Sequence, residues 1–278
     1  MTTYGQRVAA SAARNGSLLC VGLDAEPERL PTHLQSLPPA EAILAFNRAI
    51  IDATCDLVAA YKPNLAFYEA LGPAGMEAFR ATVAHVPFGI PVIADAKRGD
   101  IDNTSRAYAR AIFDVYGCDA ITANPYLGRD ALAPFLDRAD RGTYILCRTS
   151  NPGAAEIAEL DVAGEPLYVR IAERAPTWTT HGNIGLVVGA TAPTQLARVR
   201  AVAPTVPILL PGVGAQGGDL EASMAAGLDA TGAGLLVVAA RQVMYASSGR
   251  DFAEAARAAA RRLRDQIERA RANVVSAH

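Results

Sequence analysis

Eight short apolar runs rich in β-forming residues recur along the chain, each followed by a stretch with helical spacing and a Gly or Pro break. They lie at 18–24, 57–64, 91–100, 120–128, 143–150, 184–191, 207–214 and 234–241. Strands joined by crossover helices pair in parallel, and eight such units close into a barrel with its helices outside. The first run ends in Gly22-Leu23-Asp24, without the glycine fingerprint that opens a doubly wound dinucleotide fold. The 278-residue length is close to that of one such barrel, about 250 residues. Pro38-Pro39 sits in a short loop, and the stretch 151–183 carries its own helical segment, LYVRIAERA, so no linker divides the chain. The expected fold is α/β, a single (β/α)8 TIM barrel over 1–278. From Asp251 onward Ala and Leu recur at helical spacing with basic residues opposite, as in a closing outer helix.

Apolar residues make up 51% of the chain and aromatics only 6%, which suits helices packed closely on a parallel sheet better than a β-sandwich. Lys and Arg number 26 against 28 Asp and Glu, so no overall field attracts nucleic acid or an anionic membrane. An anionic ligand would need a local site. The first residues lack a basic leader followed by an apolar core, and no apolar run reaches the roughly 18 residues of a membrane span. The expectation is a cytoplasmic protein. Cys20, Cys55, Cys118 and Cys147 show neither CxxC spacing nor Cys/His pairing, and read as reduced thiols with no metal.

In such a barrel the C-terminal strand ends form the active-site face, so polar residues there carry information. Asp24, Lys62, Asp95, Lys97, Asn124, Ser150, Thr191, Pro211 to Gly214 and Arg241 stand at these ends and are expected to converge on one mouth. In the third run, alternation sets Ile93, Asp95 and Lys97 on one face and Val92, Ala94 and Ala96 on the other. If the small apolar set meets the helices, both charges point inward. A salt bridge with a purely structural role is the competing reading of an isolated DxK. Two desolvated charges need compensating partners, and Lys62, Asp95, Lys97 and Asp100 alternate in sign as a network would. The seventh run leads into PGVGAQGGD, from Pro211 to Asp219, a glycine-rich loop whose amides can approach an anion. The eighth delivers Arg241, a forked donor for phosphate oxygens. These are the positions where barrels of this type cradle phosphate.

The run VIADAKRGDI, followed by Thr104, resembles the DxKxxD signature of the orotidine 5′-phosphate decarboxylase family. YKPNLAFYEALG, TSNPGA and PGVGAQGGD extend the resemblance, toward the longer bacterial branch, over nearly the whole chain. The resemblance implies decarboxylation of orotidine 5′-phosphate to uridine 5′-phosphate without metal or organic cofactor, by a homodimer with shared active sites. It also implies roles. Lys97 matches the proton donor, Asp95 the carboxylate beside the scissile group, Lys62 a lysine of the network, and Asp100 a carboxylate reaching the neighbouring subunit's site. Asp24 and Thr104 match ribose contacts, Thr104 across the dimer interface. Ser150, Pro211 and Gln216 fall among the contacts to the pyrimidine and phosphate ends, and Arg241 matches the phosphate clamp. Many relatives have Gly or Ser before that arginine, where this chain has Ala240. The alternatives are an Mg2+-dependent sugar-phosphate lyase or decarboxylase of the same superfamily, and a non-catalytic barrel that binds a phosphorylated ligand.

Overall fold

The computed structural model describes residues 2–213 and 218–276. Helix α1 (Tyr4–Asn15) leads into β1 (Leu19–Gly22), α2 (Pro39–Thr54), β2 (Ala60–Lys62), α3 (Leu65–Glu69), α4 (Gly72–His85), β3 (Ile93–Arg98), α5 (Asp102–Arg110), β4 (Ala120–Ala123), α6 (Arg129–Leu136) and β5 (Gly142–Arg148). Then follow α7 (Ala154–Ala158), α8 (Leu167–Arg174), β6 (Ile184–Val188), α9 (Pro193–Val202), β7 (Ile208–Pro211), α10 (Leu220–Gly227), β8 (Leu235–Ala239), α11 (Arg241–Met244) and α12 (Phe252–Ser276). The eight strands form one parallel sheet in the order β2-β1-β8-β7-β6-β5-β4-β3. Bridges from Tyr61 to Val92 and from Asn64 to Asp95 join β2 to β3 and close the ring. Each expected run coincides with one of these strands, β5 beginning one residue before its run, at Gly142, and the fold is the (β/α)8 barrel. A small two-stranded ribbon, Asp161–Val162 with Glu165–Pro166, lies between α7 and α8.

Alternation along the strands divides the core in two. Cys20, Ala60, Ile93, Ala120, Tyr144, Val187, Leu209, Leu236 and Val238 fill the barrel interior, while their neighbours Val21, Ala94, Ile121, Leu210 and Val237 pack against the helices. Helix α1 plugs the N-terminal end, a role the sequence reading did not assign to it. Thr3 and Gln6 start it with reciprocal caps, and Tyr4 then enters the barrel, its hydroxyl 3.2 Å from that of Tyr144 and the two rings edge to face. Glycines make room for this pair: a Cβ at Gly142 would lie 2.4 Å from the Tyr4 ring, and one at Gly185 would lie 2.5 Å from the Tyr144 ring. Arg7 pairs with Asp119, whose other oxygen accepts from the Val92 amide at 2.8 Å, so the plug is tied to the start of β3.

Among the described residues no helix is long and apolar enough to cross a membrane. Because the plug fills one end of the barrel, Tyr4→Ala opens a cavity there and is expected to destabilise the protein by about 3 kcal/mol. Urea unfolding measures this, and an unchanged midpoint would show that the plug is dispensable.

Candidate active site

Strand β3 departs from simple alternation where its charges lie. Ala94 pairs with Ile121 and Arg98 with Ala123, so four steps along β3 match two along β4 and the strand bulges between them. Lys97 sits at the bulge with φ 49°, a left-handed conformation that costs a non-glycine residue about 1 kcal/mol or more. The expectation that Asp95 and Lys97 share the inner face holds for their ammonium and carboxylate. It is the bulge, however, that brings Lys97 back over Asp95. Arg98 then turns outward to the Ala96 carbonyl at 3.0 Å, to Glu69 and to the face of Tyr108.

Asp95 is shared by two cations. Lys62 Nζ donates to Oδ2 at 2.6 Å and Lys97 Nζ to Oδ1 at 2.6 Å, while the Thr122 hydroxyl donates to Oδ1 at 3.0 Å. Lys62 is 4% exposed, whereas half of the Lys97 side chain remains open to the cleft. Burial alone would push the Asp95 carboxyl up, but Lys62 and Lys97 outweigh it and hold the carboxyl well below the usual carboxylate range. Burial would likewise pull Lys62 down, yet Asp24 and Asp95 hold its ammonium above its ordinary range. Asp24, just past β1, accepts from the Asn64 amide at 3.1 Å; burial raises its carboxyl, with Lys62 opposing.

Around these charges lies a cleft at the C-terminal ends of the strands. One part, about 460 Å³, is lined by Asp24, Lys62, Asp95, Pro211 and Arg241; the other, about 220 Å³, by Lys62, Asp95, Lys97, Thr122, Ser150 and Pro211. The shared residues make them adjoining halves of one site. Arg241 opens α11, exposed on the cleft wall, and Arg29 lines the same wall with its guanidinium 3.9 Å over the Tyr245 ring. Gly212 takes φ 97°, and a bridge between Val213 and Gly218 closes the neck of the glycine-rich loop. Gln216 lies outside the described residues. The methyl of Ala240, the departure beside the arginine, occupies space left by Gly22, where a Cβ would come within 2.7 Å of it.

Not every expected residue joins this cleft. Asp100 accepts from the Ile101 amide at 2.7 Å and makes no ion pair among the described residues, so within one chain the charge network contains Lys62, Asp95 and Lys97 but not Asp100. Thr104 lies in the first turn of α5, in the same segment. Asn124 instead caps the short turn after β4 by accepting from the Tyr126 amide at 3.0 Å, and Thr191 bonds the Ser150 carbonyl at 3.2 Å. Thr122 and Arg29 were missed. Alternation along AITA places Thr122 on the inner face with Ala120, which was a usable signal; nothing in sequence singles out Arg29. A larger cavity, about 850 Å³, opens beside the cleft between the ends of β4 and β5 and helices α7 and α8, and contains neither Lys62 nor Asp95.

Comparison with known proteins gives the family. Residues 17–259 match the model of the family described as orotidine 5′-phosphate decarboxylase / HUMPS. The orotidine 5′-phosphate decarboxylase of Thermomicrobium roseum is 56% identical over 275 residues, covering 98% of this chain and 97% of the relative. That of a Roseiflexus species is 51% identical over 270 residues, covering 96% and 98%. The solved structure of Leishmania donovani OMP decarboxylase superposes with a TM-score of 0.86 at 42% identity, covering 97% of this chain and 99% of that one. With a barrel of the same shape and likeness of this extent along its whole length, the chain belongs to the orotidine 5′-phosphate decarboxylase / HUMPS family.

Proposed function

We propose that the protein decarboxylates orotidine 5′-phosphate to uridine 5′-phosphate and CO2, a step of pyrimidine nucleotide synthesis, with Lys97 as the proton donor and without a metal or organic cofactor. The observation that carries this reading is the sharing of Asp95 by Lys62 and Lys97, each at 2.6 Å, at one end of a cleft that Arg241 flanks. Loss of CO2 from C6 of the pyrimidine leaves an electron pair in the ring plane, where the π-system cannot take it up. A nearby ammonium stabilises that charge and then supplies the proton. Asp95 fixes the Lys97 ammonium and keeps it in place before the bond breaks. Arg241 suits the phosphate, whose grip far from the reacting carbon supplies binding energy for closing the site. Asp24 and Ser150, which line the two halves of the cleft, are assigned here to the ribose and pyrimidine, and Gln216 to the phosphate end.

The alternative is a sugar-phosphate lyase or decarboxylase of the same superfamily, and one feature argues against its Mg2+-dependent chemistry. Both oxygens of Asp95 are already engaged by ammonium groups, an arrangement that opposes adding a further cation there. We also propose a homodimer with shared sites in the cytoplasm. Asp100 and Thr104 line neither half of the cleft in their own chain, and Ile101 beside them and Tyr126 and Leu127 in the turn after the neighbouring strand β4 are exposed apolar side chains that suit contact with a second copy.

The loss of orotate ultraviolet absorbance, followed with EDTA present, tests the activity; turnover that requires added metal would overturn the reading. In that assay Lys97→Ala is expected to lose about 10³-fold or more in kcat while still binding uridine 5′-phosphate. Arg241→Ala should instead weaken nucleotide binding about tenfold to hundredfold. For the shared site, co-expressed Asp100→Ala and Lys97→Ala chains should recover activity in verified heterodimers, and absence of recovery there would contradict it.

A further inference from the structure

Thr122 touches more of this site than a β-branched strand residue needs to. It stands on β4 two residues beyond Ala120, on the inner face of the barrel and 2% exposed. Its hydroxyl oxygen has three partners: the amides of Ala96 at 3.1 Å and Lys97 at 3.0 Å, and Oδ1 of Asp95 at 3.0 Å. A hydroxyl has one proton and two lone pairs. The two amides can only donate, so they take both lone pairs, and the proton is directed to Asp95. The arrangement has no alternative donor pattern while Asp95 is ionised.

Those three bonds join the two things that locate the Lys97 ammonium. One is the backbone of the bulge, where Lys97 holds its left-handed conformation and where the amides of Ala96 and Lys97 have left the regular β3–β4 ladder. The other is the carboxylate oxygen Oδ1, the same atom to which Lys97 Nζ is bonded at 2.6 Å. The start and the end of the Lys97 side chain are therefore tied to one buried hydroxyl on the neighbouring strand.

We infer that Thr122 is a positioning residue for proton delivery, acting through Lys97 and Asp95 and not through contact with the reacting atoms. The inference rests on the reading of Lys97 as the proton donor. Removing the hydroxyl at nearly constant shape, as Thr122→Val does, leaves the Ala96 and Lys97 amides unpaired and frees Oδ1 from one of its donors. The bulge then has reason to relax toward a regular strand, carrying Lys97 away from Asp95. Binding of the nucleotide's phosphate depends on the opposite side of the cleft and should be nearly unaffected.

The test measures kcat and KM for orotidine 5′-phosphate and the affinity for uridine 5′-phosphate in Thr122→Val, Thr122→Ser and Lys97→Ala. Thr122→Val is expected to lose about 10²-fold in kcat, as displacement of a catalytic group by an ångström does. Its KM and nucleotide affinity should stay within about threefold of the parent, and Thr122→Ser, which restores the hydroxyl, should return kcat to within about threefold. Should the valine variant not fold, Thr122→Ala carries the same expected loss. Parent-like kcat in the valine or alanine variant, or a loss equal in kcat and in nucleotide affinity, would overturn the role of Thr122. So would a serine variant as slow as valine. Parent-like turnover by Lys97→Ala would overturn the underlying reading of Lys97 instead.

Discussion

Lys62 and Lys97 divide one carboxylate, Asp95, between them, and Asp24 lies on the far side of Lys62 close enough to raise its affinity for a proton. Two cations and two anions thus balance at the end of a parallel barrel, with Lys62 sealed from water. Neither Lys62 nor Asp95 would keep its charge there alone, since a single desolvated charge costs several kcal/mol and ordinarily gives up its ionisation. Together they retain it. Asp95 stays ionised because two ammonium groups face it, and Lys62 stays protonated because two carboxylates do. Lys97, the half-exposed member, is the one left with a side open to the cleft.

The rest of the barrel can be understood as what holds this group in register. Ring closure between β2 and β3 passes through the Asn64–Asp95 bridge, so the strand ends carrying Lys62 and Asp95 are locked side by side, and the Asn64 amide also fixes Asp24. The bulge in β3 sets Lys97 over Asp95, with Thr122 gripping it from within and Arg98 from outside. At the other end of the barrel, Tyr4 and Tyr144 fill the interior and exclude the solvent that would otherwise reach the underside of the charged layer. A strained backbone at Lys97 is maintained by surrounding contacts, as expected where a conformation serves chemistry more than stability.

How far sequence alone reached follows from the kind of information each feature needs. The eight strands were legible because a strand buried on both faces is a short continuous apolar run, and the crossover helices between them leave one closed solution. Lys62 and Asp95 were legible as charges at strand ends. The β3 bulge was not, because its left-handed residue is a lysine, and no glycine or asparagine marks the position. Alternation put Thr122 on the inner face, but its β propensity made it read as packing, and its role is legible only once its hydroxyl is found to have three partners. The role of α1 was hidden as well, since a short amphipathic helix gives no sign that its first tyrosine enters a barrel. Asp100 shows the opposite limit: its place in the charge network was expected only through resemblance, and within one chain it bonds the Ile101 amide and makes no ion pair among the described residues.

The claim on which the account turns is that the Lys97 ammonium, held by Asp95, delivers a proton to C6 of the nucleotide. Proton transfer at that carbon runs in both directions, so the C6 hydrogen of uridine 5′-phosphate, bound in D2O, should exchange for deuterium on the parent protein and be lost from the proton NMR spectrum. With Lys97→Ala, nucleotide bound to the same occupancy should show no exchange above that of free uridine 5′-phosphate. Exchange at the parent rate in Lys97→Ala would contradict the account, because some group other than Lys97 would then be moving the proton.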